Sequence, residues 1–265
     1  MRYILLFIAI FTFSCKYNIS SPVGTIKDYS ANSGKLFYTS SDSSADDIET
    51  TLKKNKHSLG IYKIVVSGGD STAILTNIKK VSDKNPSFDN VEIDLSLTKI
   101  TNIPKEMFTN TTNLGKITLP DTVKKIEESA FSGCSSLSYI RFSGSLTNIG
   151  TNAFSNCSAL TVLLLPDGLK TIEKCAFSDC SSLVNLFLPK SLTKIDDDAF
   201  KNCSQLKNLE YLGTDTNVSG SPFKNGSSIS NLYLPNVDTS KTNDFNTKCF
   251  LGKNNWKITK GHIPS

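Results

Sequence analysis

The sequence predicts an α/β solenoid: 23-residue coils stacked side by side, with parallel strands on one face, irregular or short helical return segments, and an α/β cap at the N-terminal end. Three observations predict it. Phe108, Phe131, Phe154, Phe177, Phe200 and Phe223 recur every 23 residues. Aligned on them, the units share the pattern LxxIxxxAFxxCxxLxxLxLPxx, best kept over residues 123–189. Upstream, two helical periodicities alternate with two strand-like runs. A fixed period of this length marks units that cannot close a core alone and do so by stacking.

The chain begins with Met1-Arg2-Tyr3 and the apolar run ILLFIAIFTFS, too short to span a bilayer comfortably. Residues 1–14 therefore read as a secretory signal peptide. Thr12-Phe13-Ser14-Cys15 resembles a bacterial lipobox, departing from it at Thr12, where leucine is usual, and at the bulky Phe13. That resemblance implies a lipidated Cys15 and cleavage just before it, so that the acyl chains hold the new N-terminus on a membrane. An ordinary cleavable signal beside an incidental cysteine is the other reading, and both export the chain. Residues 15–41, polar and serine-rich, read as a flexible tether.

Residues 42–96 read as the N-terminal cap, a helix-strand-helix-strand unit. The first helix starts at Ser44, with Ile48 and Leu52 on one face, Asp46, Asp47 and Glu49 leading, and Lys53, Lys54 and Lys56 trailing, as the helix dipole favours. A strand is expected over 61–66, a second helix over about 71–82 with Ile74, Ile78 and Val81 on a common face, and a strand through Val91, Ile93 and Leu95. Ser67-Gly68-Gly69-Asp70 lacks the spacing and the lysine of a phosphate loop and reads as turn and helix-capping chemistry. The cap is needed because a solenoid otherwise ends in an open sheet edge and a bare core.

Residues 97–235 hold six repeats, and each column has a physical task. The strand cores are Ile117/Leu119, Ile140/Phe142, Leu163/Leu165, Leu186/Leu188, Leu209/Tyr211 and Leu232/Leu234, alternating with outward positions. Pro120, Pro166, Pro189 and Pro235 stop strands, since proline supplies no ladder donor. Ile126, Ile149, Ile172, Ile195 and Val218 lie on the return path. Cys134, Cys157, Cys180 and Cys203 form a ladder of small buried thiols; zinc would need them to converge, and a ladder spreads them out. The pairing of Cys175 and Cys249 is left open. Residues 236–265 read as a second cap, with Trp256 as a lid on the core and Ile258 in a last strand.

The stretches AFSGCSSL (130–137), AFSNCSAL (153–160), AFSDCSSL (176–183) and AFKNCSQL (199–206) strongly resemble the BspA-like, or Treponema-type, leucine-rich repeats. The end units depart from the pattern, with Met107 and Thr111 in the first and Asp215, Pro222 and Gly226 in the sixth, as capping units do. The resemblance implies an α/β leucine-rich-repeat solenoid with its strands on the concave face, and the role of a bacterial surface adhesin that binds host matrix proteins such as fibronectin and fibrinogen.

On that face the outward positions are Lys116/Thr118, Tyr139/Arg141, Val162/Leu164, Asn185/Phe187, Asn208/Glu210 and Asn231/Tyr233, with Glu92/Asp94 alongside from the cap. Tyr139, Val162, Leu164 and Phe187 form an apolar strip on which a protein partner is expected to dock, Phe187 and Leu164 as anchors, Arg141 and Glu210 setting orientation. The bland alternative is that these are strand formers tolerated on a sheet face. Chemistry is sparse: the two histidines, His57 and His262, have no metal-ligand spacing, and Asp196, Asp197 and Asp198 read as a solvated loop. No cofactor, metal site or catalytic residue is expected, and the chain is not read as an enzyme. The net charge of +5 is spread without an aromatic-basic motif, so nucleic acid is not a partner. The expected protein is an exported lipoprotein of the outer membrane or cell surface, bound to a protein ligand of the host-matrix class. A periplasm-facing scaffold for another envelope protein is the alternative.

Overall fold

The structure is a computed structural model that describes residues 36–70, 72–214, 216–223 and 229–264. The expected signal peptide, lipidated Cys15 and most of the tether lie outside the described residues. In chain order the cap comprises β1 (Tyr38–Ser40), α1 (Ala45–Leu59), β2 (Lys63–Ser67), α2 (Ala73–Lys84) and β3 (Val91–Leu97). The coils follow as β4 (Asn102–Ile103), β5 (Leu114–Thr118), β6 (Lys125–Ile126), β7 (Tyr139–Arg141), β8 (Asn148–Ile149), β9 (Val162–Leu164), β10 (Thr171–Ile172), β11 (Asn185–Leu188), β12 (Lys194–Ile195), β13 (Asn208–Tyr211) and β14 (Asn231–Tyr233). The chain closes with α3 (Asp244–Thr247) between two single 3-10 turns, then β15 (Lys257–Thr259).

Among the described residues every strand pairing is parallel, and the strands fall into three sheets. One runs β1-β2-β3-β5-β7 and another β9-β11-β13-β14-β15, together forming the strand side of the solenoid. The third, β4-β6-β8-β10-β12, runs without a break on the return side. The isoleucine column therefore builds a second ladder of two-residue strands, flanked by turns, and no helix occurs in the described part of the return path.

Stacking fixes the core. Neighbouring phenylalanine rings of the six coils lie 5.0–5.6 Å apart with planes inclined by 27° or less. The Phe108, Phe131, Phe154 and Phe177 N–H groups each donate to the carbonyl of the alanine in the next coil, Ala130, Ala153, Ala176 and Ala199, at 2.7–2.8 Å. The ring spine and this ladder share one repeat distance, so the aromatic column and the backbone register enforce each other. Each of the first five coils also turns twice through left-handed backbone: Glu106, Ser129, Asn152, Cys175 and Asp198 form one such column, and Asn110, Gly133, Asn156, Asp179 and Asn202 the other. Asparagine, aspartate and glycine dominate the second column because they tolerate positive φ best.

The helical segment upstream meets the first coil through β3, which pairs with β5. Ser44 caps α1 in a reciprocal pair with Asp47, and Ile48, Leu52, Ile74, Ile78 and Val81 are buried. One expectation needs correction. Residues 38–40, assigned to the tether, form β1 against β2. The cause is Asn55 of α1, wholly buried, which accepts from the Phe37 N–H and donates to the Phe37 and Lys63 carbonyls. The second helix begins after Thr72, whose side chain makes no capping bond. At the other end Trp256 is buried edge-on against Phe223 and donates Nε1–H to the Phe250 carbonyl, as a lid does. Ile258 joins β15 and is half-buried.

Phe154 stacks between two rings of the spine, whereas Phe223 stacks on one and meets Trp256 edge-on, so truncation should cost more in the middle of the spine. Phe154→Ala is expected to lower unfolding free energy by about 3–5 kcal/mol and Phe223→Ala by less, measured by urea titration of the two variants. Equal losses would show that ring stacking between coils does not order the core.

Candidate partner-binding face

The outward side chains of the strand side form two rows set by strand register. The first runs Glu92, Lys116, Tyr139, then Val162, Asn185, Asn208, Asn231, Lys257. The second runs Asp94, Thr118, Arg141, then Leu164, Phe187, Glu210, Tyr233, Thr259. All eleven residues expected to contact a partner lie in these rows.

Both rows are interrupted at the same place. Elsewhere the strand pairings are bracketed by bonds such as Ser138 N–H to the Gly115 carbonyl, Leu119 N–H to Arg141, Val184 N–H to Thr161 and Leu165 N–H to Phe187. Among the described residues no pairing joins β7 to β9, and most of their Cα pairs lie beyond 8 Å. Paired strands sit about 4.8 Å apart. The return ladder continues past this point, with Thr171 beside Asn148, and Phe154 still stacks on Phe131 at 5.0 Å. The spine and return side thus hold the coils together while the strand side opens.

The opening explains the apolar strip. Val162 is 50% exposed and Leu164 is 63% exposed because β9 has no neighbour on that side; Tyr139, across the gap on β7, is 37% exposed. Phe187 stands next to Leu164 in register and is half-buried. Sequence places these residues on the outward face. It does not show that a missing strand pairing bares them.

Both charges expected to orient a partner are already engaged. Arg141 folds back, with Nη1 donating to the Leu119 carbonyl and Nη2 reaching Asp121 Oδ1, each at 3.2 Å. Glu210 is buried on the outward face, where an exposed carboxylate is expected. Its Oε1 lies 2.6 Å from His262 Nδ1, and its Oε2 accepts the Ile263 N–H at 2.9 Å. The C-terminal tail covers it. Lys116 is paired with Glu92 at 2.6 Å.

A further feature is an asparagine ladder. Asn208 Nδ2 donates to Asn185 Oδ1 and Asn231 Nδ2 to Asn208 Oδ1, each at 2.8 Å. The recurrence at 23 residues is visible in the sequence, and the identity of the side chain is the signal: an amide carries donor and acceptor and so can bond its own copy at the next strand. Tyr233 stands beside Glu210 in register and is half-buried.

The thiol column has a structural chemistry. Cys134, Cys157, Cys180 and Cys203 donate S–H to the carbonyls of Phe108, Phe131, Phe154 and Phe177, one coil earlier, at 3.1–3.3 Å. Burial pushes Cys134 and Cys203 up to about 12 and holds Cys157 and Cys180 well above the usual thiol range. Thr111 takes the same position in the first coil, and its buried hydroxyl finds no partner among the described residues because no repeat precedes it. Cys175 is half-buried and Cys249 exposed, both as free thiols. Among the described residues no three His, Cys, Asp or Glu side chains gather as a metal cage requires, and no helix is long and apolar enough to cross a membrane. Asp196 pairs with Lys194 at 2.6 Å and Asp197 accepts the Ser221 N–H, so two members of the acid run hold the return turns.

A family model described as the BspA type leucine rich repeat region matches residues 101–230 and 159–265, in six copies. No curated protein matches the chain. Among solved structures, a T. pallidum leucine rich repeat protein is similar at 22% identity, with 65% of this chain and 86% of that one covered and a TM-score of 0.46. A leucine rich cell surface protein from Faecalibacterium prausnitzii is similar at 30% identity, covering 49% of this chain and 34% of that one, TM-score 0.47. The pneumococcal vaccine antigen PcpA is similar at 19% identity, covering 66% of this chain and 42% of that one, TM-score 0.48.

The thiol ladder predicts two measurements on one protein. A maleimide should modify Cys249 and Cys175 in the folded chain and the four ladder thiols only on unfolding. The folded pKa of Cys134 and Cys203 is raised, so their contribution to stability is full below the unfolded thiol pKa of about 8.5 and is lost as pH rises toward about 12. Urea midpoints measured from pH 8 upward should fall, and fall less in Cys134→Ala/Cys203→Ala relative to that variant's own value at pH 8. Rapid labelling of the ladder in the folded state would contradict this account.

Proposed function

The chain belongs to the BspA-type leucine-rich repeat family, and from that premise we propose that it is a cell-surface binding protein holding a protein partner against the outward face of its strand side. The observation that carries the reading is the exposure of Val162 and Leu164 together at the edge of β9. Neighbouring large apolar side chains left in water by a folded chain are best accounted for by a surface that becomes covered. Leu164 and Phe187, adjacent in register, are the anchors, and Tyr139 across the gap adds an amphipathic contact. The partner class is a host matrix protein and the role adhesin-like. Cys15, lipidated after export, holds the protein on the outer membrane with the solenoid outward. The family supports a binding scaffold, and the partner is argued from the face itself, since a fold does not fix a function.

The test combines place and surface. Protease shaving of intact cells should remove the 97–235 region, with lysed cells and a periplasmic protein as controls, and Cys15→Ala should release the protein from membranes. On immobilised fibronectin and fibrinogen, Leu164→Asp and Phe187→Asp should each weaken binding by about tenfold or more, about 1.4 kcal/mol. Binding that survives both substitutions would refute the apolar face. Protection of the solenoid until lysis would overturn the adhesin role and move the partner to the cell envelope.

A further inference from the structure

Glu210 is the single acidic side chain among the outward positions from β5 to β14, and it is the one that is covered. Its side chain is 4% exposed, while the His262 ring that covers it is 73% exposed. The tail leaves β15 at Thr259, turns through Gly261 at φ +122°, and comes back over the sheet to reach β13, two strands away. A Cβ at Gly261 would meet nothing within 4 Å, so the turn stands in open space. Among the described residues of the tail, the polar hold on the sheet is the pair of contacts to the Glu210 carboxylate from the His262 ring and the Ile263 N–H.

A buried carboxylate needs donors, and here the tail supplies them. Yet the same carboxylate becomes hydrated once the tail lifts, so opening leaves no orphaned buried group. A segment tied by two hydrogen bonds, one of them from an exposed ring, belongs to the low end of local stability. Beneath it, Glu210 stands in register between Phe187 and Tyr233, in the row that begins the apolar strip at Leu164. The lifted tail would therefore extend the partner-binding face by an acidic point flanked by two aromatic rings.

We infer that residues 260–264 are a displaceable lid, and that the seat they cover takes an extended segment of a protein partner presenting a cationic side chain beside a free backbone N–H. The inference rests on the reading of the strand side as a partner-binding face. The tail shows the chemistry by occupying the seat: one ring nitrogen and one amide on the two oxygens of a single carboxylate. An arginine would fill the first role with a permanent charge and a forked donor geometry that imidazole lacks. Charge decides the class of segment, because an acidic one would meet Glu210 with repulsion.

The full chain carrying His262→Ala and Ile263→Pro removes both donors from the tail without altering a core residue. Two probes read the result. Carbodiimide coupling of a small amine, mapped by mass spectrometry, should modify Glu210 at least about tenfold faster in this variant than in the wild type. A fluorescein-labelled peptide of residues 257–265, with arginine in place of His262, should bind the opened variant at least about tenfold tighter than the wild type by anisotropy. Binding should disappear when Glu210→Gln is added, and a peptide with glutamate in that place should not bind. Equal labelling of Glu210 in wild type and opened variant would overturn the lid. Peptide binding indifferent to Glu210→Gln, or absent from the opened variant, would overturn the seat. Leu164→Asp leaves the Glu210 labelling unchanged while testing the apolar face through the matrix proteins, so the two readings fail separately.

Discussion

Each coil of this protein depends on its neighbours to satisfy its buried backbone, and the rest of the structure follows from that constraint. A 23-residue coil is too small to enclose a core, so its inward N–H and C=O groups face either an adjacent coil or a dry void. The phenylalanine column resolves this at one point of the coil. Its N–H goes forward to the alanine carbonyl of the next coil, and its carbonyl accepts the thiol of that same next coil. Phenylalanine, alanine and cysteine thus form one device: the ring sets the spacing, the small alanine lets the backbones approach, and the thiol completes the acceptor. Cysteine suits the last task because it is compact, apolar enough to be buried, and still a weak donor.

With spine and return ladder fixed this way, the strand side is free to depart from regularity. The break between β7 and β9 shows that freedom. Ring stacking across it is as close as anywhere in the spine, and the return ladder pairs without interruption. On the strand side Arg141 commits its guanidinium to the previous coil, and Phe142 sets its ring edge-on to Phe154 at 5.9 Å. In this coil Ser143 stands where Pro120, Pro166 and Pro189 end the neighbouring strands. A sheet that alone held the coils together would not survive such an opening. Here continuity is carried elsewhere, so the opening only exposes side chains.

The sequence shows the fold because the columns repeat. Phe108 to Phe223, the four ladder cysteines and the isoleucine column give period, core and return path without any structure, and Ile48, Leu52, Ile74 and Ile78 give the cap helices by their spacing. What stays hidden is contact between residues that share no column. Asn55 recruiting Phe37 into β1 joins a helix interior to a chain segment that composition makes look like a linker. His262 reaching Glu210 spans 52 residues, with no periodicity to announce it. The two-residue strands of the return path are hidden for a different reason: a strand that short has no alternation to read. On the face itself, direction is legible from alternation, but exposure is not. Glu210 and Leu164 occupy the same row, and one is covered while the other is bare, because the first lies under the tail and the second borders the gap.

This contrast bears on where function can reside in a solenoid of this kind. The inward columns are held by close packing and by hydrogen bonds passed from coil to coil, so a change there is felt by the coils on both sides. The outward rows carry no such obligation, and their composition changes along the chain: charged pairs beside the cap, apolar side chains at the gap, amides and a covered carboxylate toward the end. Regularity in the outward rows, as in Asn185, Asn208 and Asn231, has a structural explanation, since each amide bonds the next. Irregularity has none from the repeat itself. The residues that the repeat leaves unexplained, Val162, Leu164, Phe187 and Glu210, are contiguous in register across β9, β11 and β13.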